Sequence, residues 1–222
     1  MSYEKLALHI KKQLDFFSYD VPSQVLPIST VIKPSLNNLM DCLSFDKTIT
    51  NASENDFEKS IKRVIENSDY YSMLLTILSR HSLTNGLESE AWKIFALNKS
   101  LHSINISPNV VMPYIFRIAH SVGTVIGRAE LKNFLFVGHG CTIGASGKND
   151  EYPILGERVS LRANCQVLGS CILGDNIIIG TGVTLINEMV ASNTIVVNDC
   201  GKKKYISSDH PLNWSIKKFS NI

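Results

Sequence analysis

Over most of the second half of this chain, the aliphatic residues recur at every sixth position. Leu155, Leu161, Val167, Leu173, Ile179 and Leu185 form one series, and Pro153, Val159, Cys165, Cys171, Ile177 and Val183 stand two places before them. A helix presents one face about every 3.6 residues and a strand every second residue, so neither explains a period of six. Two inward positions in each unit, with small residues between, make the pattern of a hexapeptide β-helix. There each unit is a short flat strand and a turn, and three units close one coil. Gly156, Gly174 and Gly180 follow the aliphatic position, where a tight bend is expected. Upstream, Val125, Leu131, Val137 and Ile143 keep the period, preceded by Gly123, Ala129, Leu135 and Cys141. Ile106, Met112 and Ile118 run one residue out of phase, with Ile104, Val110 and Phe116 before them. The pattern covers about residues 104–186 and continues weakly to Val197, with a break at 119–124 and a loop at 145–152.

No single unit of such a repeat can bury its own inward face, so stability accumulates as coils stack. Each fully buried aliphatic side chain contributes on the order of 1.5–3 kcal/mol. Cys141, Cys165 and Cys171 fall on inward positions and are expected to act as small core hydrophobes. None of the 5 cysteines belongs to a CxxC pair, so neither zinc nor dithiol chemistry is expected, and reduced thiols are.

The first half follows a helical period instead. Leu6, Ile10, Leu14 and Phe17 share one face, as do Leu36, Leu39, Met40 and Leu43. Ser53 and Asp56 have capping-box spacing ahead of Phe57, Ile61 and Val64. A further helix is predicted over roughly 70–79, then a turn at Asn85-Gly86, then a last helix carrying Trp92, Phe95 and Ala96 towards Ile104. His9, His81, His102 and His210 are read as surface or helix residues.

Charge narrows the function classes. With 22 basic and 20 acidic residues in 222, the chain carries no electrostatic footprint for nucleic acid. No stretch reaches the roughly 18–20 apolar residues of a membrane span. The opening MSYEKLALHIKKQLDFF lacks the apolar segment of a signal peptide, so a cytoplasmic protein is expected.

Three segments carry a family resemblance: RIAHSVGTVIG at 117–127, CTIGASGK at 141–148 and YPILGERVSLRANCQVLG at 152–169. With a helical domain ahead of the repeat, the chain resembles the serine acetyltransferases and their hexapeptide relatives over about residues 70–190. The resemblance implies a left-handed coil, an exception to the usual right-handed crossover. The expected fold is therefore α+β: a helical domain at 1–103, a left-handed parallel β-helix of hexapeptide repeats at 104–198 and a basic tail at 199–222. The alternative on residues alone is a right-handed solenoid. The resemblance also implies acetyl-CoA as co-substrate, no metal, and a homotrimer or a dimer of trimers with the acetyl-CoA groove between subunits.

Site residues follow from the same resemblance. His120, at the break in the register, matches the family's catalytic histidine. An imidazole with an ordinary pKa of roughly 6.5 can take the proton of an acceptor hydroxyl near neutral pH. Asn105 stands where the family has an aspartate that orients this histidine, and Ala119 replaces a second one. An asparagine can accept the imidazole N–H but supplies no charge. His139 is the rival for a substrate or catalytic role. Gly144, Ala145, Ser146, Gly147 and Lys148 match the glycine-rich coenzyme loop, and Ala163 and Thr181 match small positions along the pantetheine groove. A family lysine is replaced by Ile178, and Lys202, Lys203 and Lys204 are basic candidates for the coenzyme phosphates.

The family's Arg-His pair, which contacts serine, is replaced by Glu151 and Tyr152. An arginine suits a substrate carboxylate and a glutamate repels it. The expected acceptor is therefore a sugar or surface-polysaccharide precursor. The alternatives are L-serine, then an amino sugar, then a catalytically inactive scaffold. A metal hydratase on the same fold needs three histidines at a seam, and only His120 and His139 lie in the coils.

Overall fold

The computed structural model describes residues 3–17, 25–45, 57–146 and 151–207. The described residues form helices α1 (Tyr3–Phe17), α2 (Val25–Ser44), α3 (Phe57–Glu66), α4 (Ser68–Thr84) and α5 (Glu88–His102). They are followed by a parallel left-handed β-helix of about 5 turns. The architecture is the α+β one expected.

The helical layer buries the stripes that the 3.6-residue period marks. Leu6, Ile10 and Leu14 of α1 are buried, as are Leu36, Leu39 and Leu43 of α2. Phe17 is not: it packs edge-on against Phe16 and is 51% exposed. The Ser53–Asp56 capping box lies outside the described residues. Asn67 caps α4, its side chain accepting the N–H groups of Asp69 and Tyr70, as an orphan helix N-terminus requires. In α5 the buried face is Ala91, Ile94, Leu97, Asn98 and His102, while Trp92 and Phe95 pack edge-to-face outside it. The helix ends on Ser103 in the left-handed region, φ 53°, and the chain enters the coil directly.

Three parallel sheets make the faces of the prism. The one that matters here stacks Asn105–Ile106, Val125–Ile126, Thr142–Gly144, Gln166–Leu168 and Thr184–Ile186. Within the coils, Leu135, Val137, Ile143, Leu155, Leu161, Val167, Ile179 and Leu185 are almost wholly buried, together with Cys141, Cys165 and Cys171.

The register differs from the expected one at the break. Val125 is 37% exposed, and Ile126 is the inward residue, paired with Ile106 and Ile143. The interval from Ile118 to Ile126 is eight residues and that from Ile126 to Leu131 is five. The 119–124 segment thus bulges outward at a corner, and the next corner is cut short. At the far end Val196, not Val197, fills the core.

The glycines after the aliphatic positions answer to contact rather than to bending. Gly156 has no left-handed φ, but a Cβ there would lie 2.6 Å from the carbonyl oxygen of Gly174. The left-handed corner positions are shared by asparagine, at Asn164, Asn176, Asn187 and Asn193, and by glycine, at Gly123, Gly140, Gly169 and Gly182. Asparagine tolerates that region better than most non-glycine residues.

The basic segment after residue 198 is not wholly aperiodic. Lys202–Ser207 forms an antiparallel strand on Thr194–Asp199. Cys200 and Gly201 turn between them, both with positive φ, which suits a tight hairpin. Tyr205 donates to Glu188 Oε2 at 2.5 Å, and Lys203 pairs with the same carboxylate, fastening this strand to the last coil.

Candidate active site

One corner of the prism is a ladder of backbone hydrogen bonds. Gly123 N–H donates to Ser103 O, Gly140 N–H to Val122 O, Asn164 N–H to His139 O and Gly182 N–H to Ala163 O. The ladder sets Val122, His139, Ala163 and Thr181 in one outward column, one coil apart. Ala163 is half-buried, and His139 and Thr181 are exposed.

His120 belongs to this corner because the 119–124 bulge puts it there. It is exposed, with φ 55°. Its ring centroid lies 6.3 Å from that of His139, the planes inclined at 65°. The two rival histidines of the sequence are neighbours in space.

The corner is anchored from outside the coil. The backbone N–H of His120 donates to Asp69 Oδ1 at 2.9 Å, across a separation of 51 residues. Asp69 lies in the first turn of α4, positioned by the Asn67 cap. Its other carboxylate oxygen has no hydrogen-bond partner among the described residues, and its charge acts on His102, raising that histidine's pKa against the larger effect of burial. No spacing rule points to Asp69; the only sequence signal is an acidic residue two places after a capping asparagine.

Asn105 sits on the strand leading away from this corner, half-buried, its N–H donating to Thr124 O at 2.9 Å. Among the described residues no hydrogen bond joins its side chain to His120. Asp69 meets His120 at its backbone N–H, so it holds the corner and is not seen on the imidazole ring.

The other predicted residues gather at the next corner, across the Val125–Ile126 strand. Gly144 ends its strand buried, and Ala145 and Ser146 follow it exposed. Gly147 and Lys148 lie outside the described residues. Glu151 is exposed, and Tyr152 is half-buried beneath the Arg128 guanidinium, 4.4 Å from its ring centroid. Within one chain, then, the structure brings together His120, His139, Ala163, Thr181 and Asp69, and sets Gly144–Ser146, Glu151 and Tyr152 apart from them.

The core thiols take no part. Cys165 is buried and its thiol is pushed up, first by its contact with Cys141 and then by burial. Ile178 is 7% exposed and offers no charge. Among the described residues no group of three His, Cys, Asp or Glu could hold a metal ion, and no helix is long and apolar enough to cross a membrane.

No family model matches the chain. A serine acetyltransferase of Helicobacter pylori is 31% identical over 116 residues, which are 51% of this chain and 66% of that protein. A serine acetyltransferase of Buchnera aphidicola is 24% identical over 226 residues, covering 92% of this chain and 82% of the relative. Among solved structures, Neisseria gonorrhoeae serine acetyltransferase superposes with a TM-score of 0.70 at 22% identity, over 93% of this chain and 81% of that one. A serine acetyltransferase complexed with CoA gives 0.68 at 15% identity, over 93% and 86%. At these identities the superpositions establish the fold.

Proposed function

From a chain that is serine acetyltransferase-like in sequence and in fold, we infer an enzyme that transfers acetyl from acetyl-CoA to the side-chain hydroxyl of L-serine. The observation that carries this reading is the corner where exposed His120 meets Asp69. His120 takes the proton of the serine hydroxyl as its oxygen attacks the thioester carbonyl. When the tetrahedral intermediate collapses, the carbon–sulfur bond breaks. The imidazolium then returns the proton to the departing CoA thiolate. The open oxygen of Asp69 offers a partner for the acceptor's ammonium group, which a neutral sugar lacks. Relatives that act on serine by name support the same choice over the sugar acceptor suggested by Glu151 and Tyr152.

The assembly belongs to this reading too. Val122, Val125 and Ile186 expose 65%, 37% and 49% of their surface on or beside one prism face. Apolar residues grouped on one face mark an association surface. A homotrimer with that face towards its axis sets the His120 corner of one subunit against the Gly144–Ser146 corner of the next, closing an acetyl-CoA groove. Ala163 and Thr181 line one wall of that groove as small side chains, and Gly144, Ala145 and Ser146 line the other.

The test is release of CoA from acetyl-CoA with serine, nucleotide sugars and amino sugars as acceptors, with O-acetylserine identified by mass. Serine is expected to be the best acceptor, and H120A to lose about 10²–10⁴-fold in kcat, the usual contribution of a general base. Full activity in H120A removes the proposed base. A sugar turned over faster than serine restores the other acceptor.

A further inference from the structure

The seam between the helical layer and the first coil holds a cleft of about 170 Å3. It is bordered by Asn38 of α2, by Ile77, Arg80 and His81 of α4, and by Met112 and Phe116 of the coil. That is well below the roughly 300–1,000 Å3 of a site for a drug-sized ligand, and it suits a small metabolite. The proposed transfer reaction makes no use of it.

Two hydrogen-bond acceptors belong to this cleft. Asn38 is 7% exposed. Its Nδ2 donates to Tyr114 O at 2.8 Å, and its Oδ1 has no hydrogen-bond partner among the described residues. A buried polar atom normally has one. His81 supplies the second acceptor. The Ser35 hydroxyl has a single proton and gives it to Val31 O at 2.7 Å. In its 2.9 Å contact with His81 Nδ1 the ring is therefore the donor. Burial, and after it the Arg80 charge, hold His81 below the usual histidine pKa. The ring is neutral at pH 7, and its Nε2 keeps a lone pair. Beside these acceptors stands a cation. Arg80 is half-buried and donates one hydrogen bond, to Pro108 O at 3.0 Å. Among the described residues no carboxylate pairs with it. Charged groups withdrawn from water need a counter-ion.

We propose that this cleft binds a free α-amino acid with an aliphatic side chain. Its carboxylate is the counter-ion that Arg80 lacks. Its ammonium donates to Asn38 Oδ1 and His81 Nε2. Its side chain covers Ile77, Met112 and Phe116. A plain carboxylic acid leaves Asn38 Oδ1 unpaired, and a plain amine leaves Arg80 without a counter-ion, so the zwitterion is the species that satisfies both. The site is distinct from the transfer corner. Arg80 lies eleven residues beyond Asp69 on the same helix, a rise of about 16 Å. The proposal does not depend on which acceptor the enzyme takes. Bound there, the amino acid joins α2 and α4 to the coil, and α4 is the helix that anchors the His120 corner.

The full chain is titrated calorimetrically with L-leucine, with 4-methylpentanoate, which has no ammonium, and with 3-methylbutylamine, which has no carboxylate. Leucine is expected to bind, and each analogue to bind at least about tenfold more weakly. R80Q is expected to raise the dissociation constant for leucine by about 10- to 100-fold and N38L by about tenfold, the range for a lost hydrogen bond to a charged group. R80K falls between wild type and R80Q, keeping the charge without the planar fork. The dissociation constant is compared because it does not depend on how much of a preparation is folded. H120A binds leucine as wild type does. No leucine binding at millimolar concentration, an analogue that binds as tightly, or an affinity unchanged in R80Q or in N38L overturns the proposal. Binding that is weakened in H120A overturns it too, since the amino acid then sits at the transfer corner.

Discussion

Asp69 is the residue whose replacement separates support of the corner from contact with the acceptor. His120 holds φ 55°, a conformation that costs a residue with a side chain roughly 1–2 kcal/mol. The 2.9 Å hydrogen bond from its N–H to Asp69 offsets that cost. Such a bond to a carboxylate contributes about 2 kcal/mol and one to a neutral oxygen about 1 kcal/mol. D69N keeps an oxygen in place, so the corner loses about 1 kcal/mol, roughly a fivefold fall in kcat. D69A loses the whole bond, about 2 kcal/mol or roughly 30-fold. If the second oxygen also binds the acceptor ammonium, both variants lose a further 2 kcal/mol or so of binding, about 30-fold in the KM for serine. The KM for acetyl-CoA is expected to stay within about twofold of wild type, because the contact proposed for Asp69 is with the acceptor's ammonium. Initial rates of CoA thiol release, with each substrate varied in turn, measure all three constants. A D69N enzyme with both kcat and serine KM within twofold of wild type refutes the reasoning. A KM for acetyl-CoA that rises as far as that for serine refutes it too, since the effect is then a general distortion.

Two further outcomes follow from packing and burial. G156A places a methyl group 2.6 Å from a backbone oxygen of the coil above. It is expected to destabilise the chain by about 1–3 kcal/mol, seen as a lower urea midpoint; an unchanged midpoint contradicts the stacking argument. His9, His81 and His102 are each held below the usual histidine pKa, chiefly by burial. The unfolded chain therefore takes up protons that the folded chain resists as pH falls through about 6.5. Their stabilising contribution is present above that pH and lost below it, so the urea midpoint drops from pH 7.5 to pH 5. His102, whose Nδ1 lies 2.8 Å from Asn98 Oδ1, carries part of the drop, and H102Q flattens the profile. A midpoint independent of pH in wild type contradicts the reading.

The two levels of description differ at particular residues. The helical stripes and the inward hexapeptide positions were legible because each depends on a local period. The register at the 119–124 break was not. Val125 and Ile126 are both aliphatic, and only the pairing of Ile126 with Ile106 and Ile143 decides which one faces in. The last helix was legible from Trp92, Phe95 and Ala96, but not its buried row, which is Ala91, Ile94 and Leu97. The hairpin strand Lys202–Ser207 was missed because all of its side chains are exposed, so no inward period marks it. It is held by the edge of the last coil and by Glu188, not by burial.

What the amino-acid order determined by itself is the prism. A six-residue apolar period can be buried only by stacking each coil on the next, so the repeating unit and the fold are the same information. What only the tertiary structure decided is the company His120 keeps. Asp69 lies 51 residues away on a helix, and His139 lies one coil above. Contacts between separate elements depend on how a helical layer docks against a corner, and no short-range pattern encodes that distance.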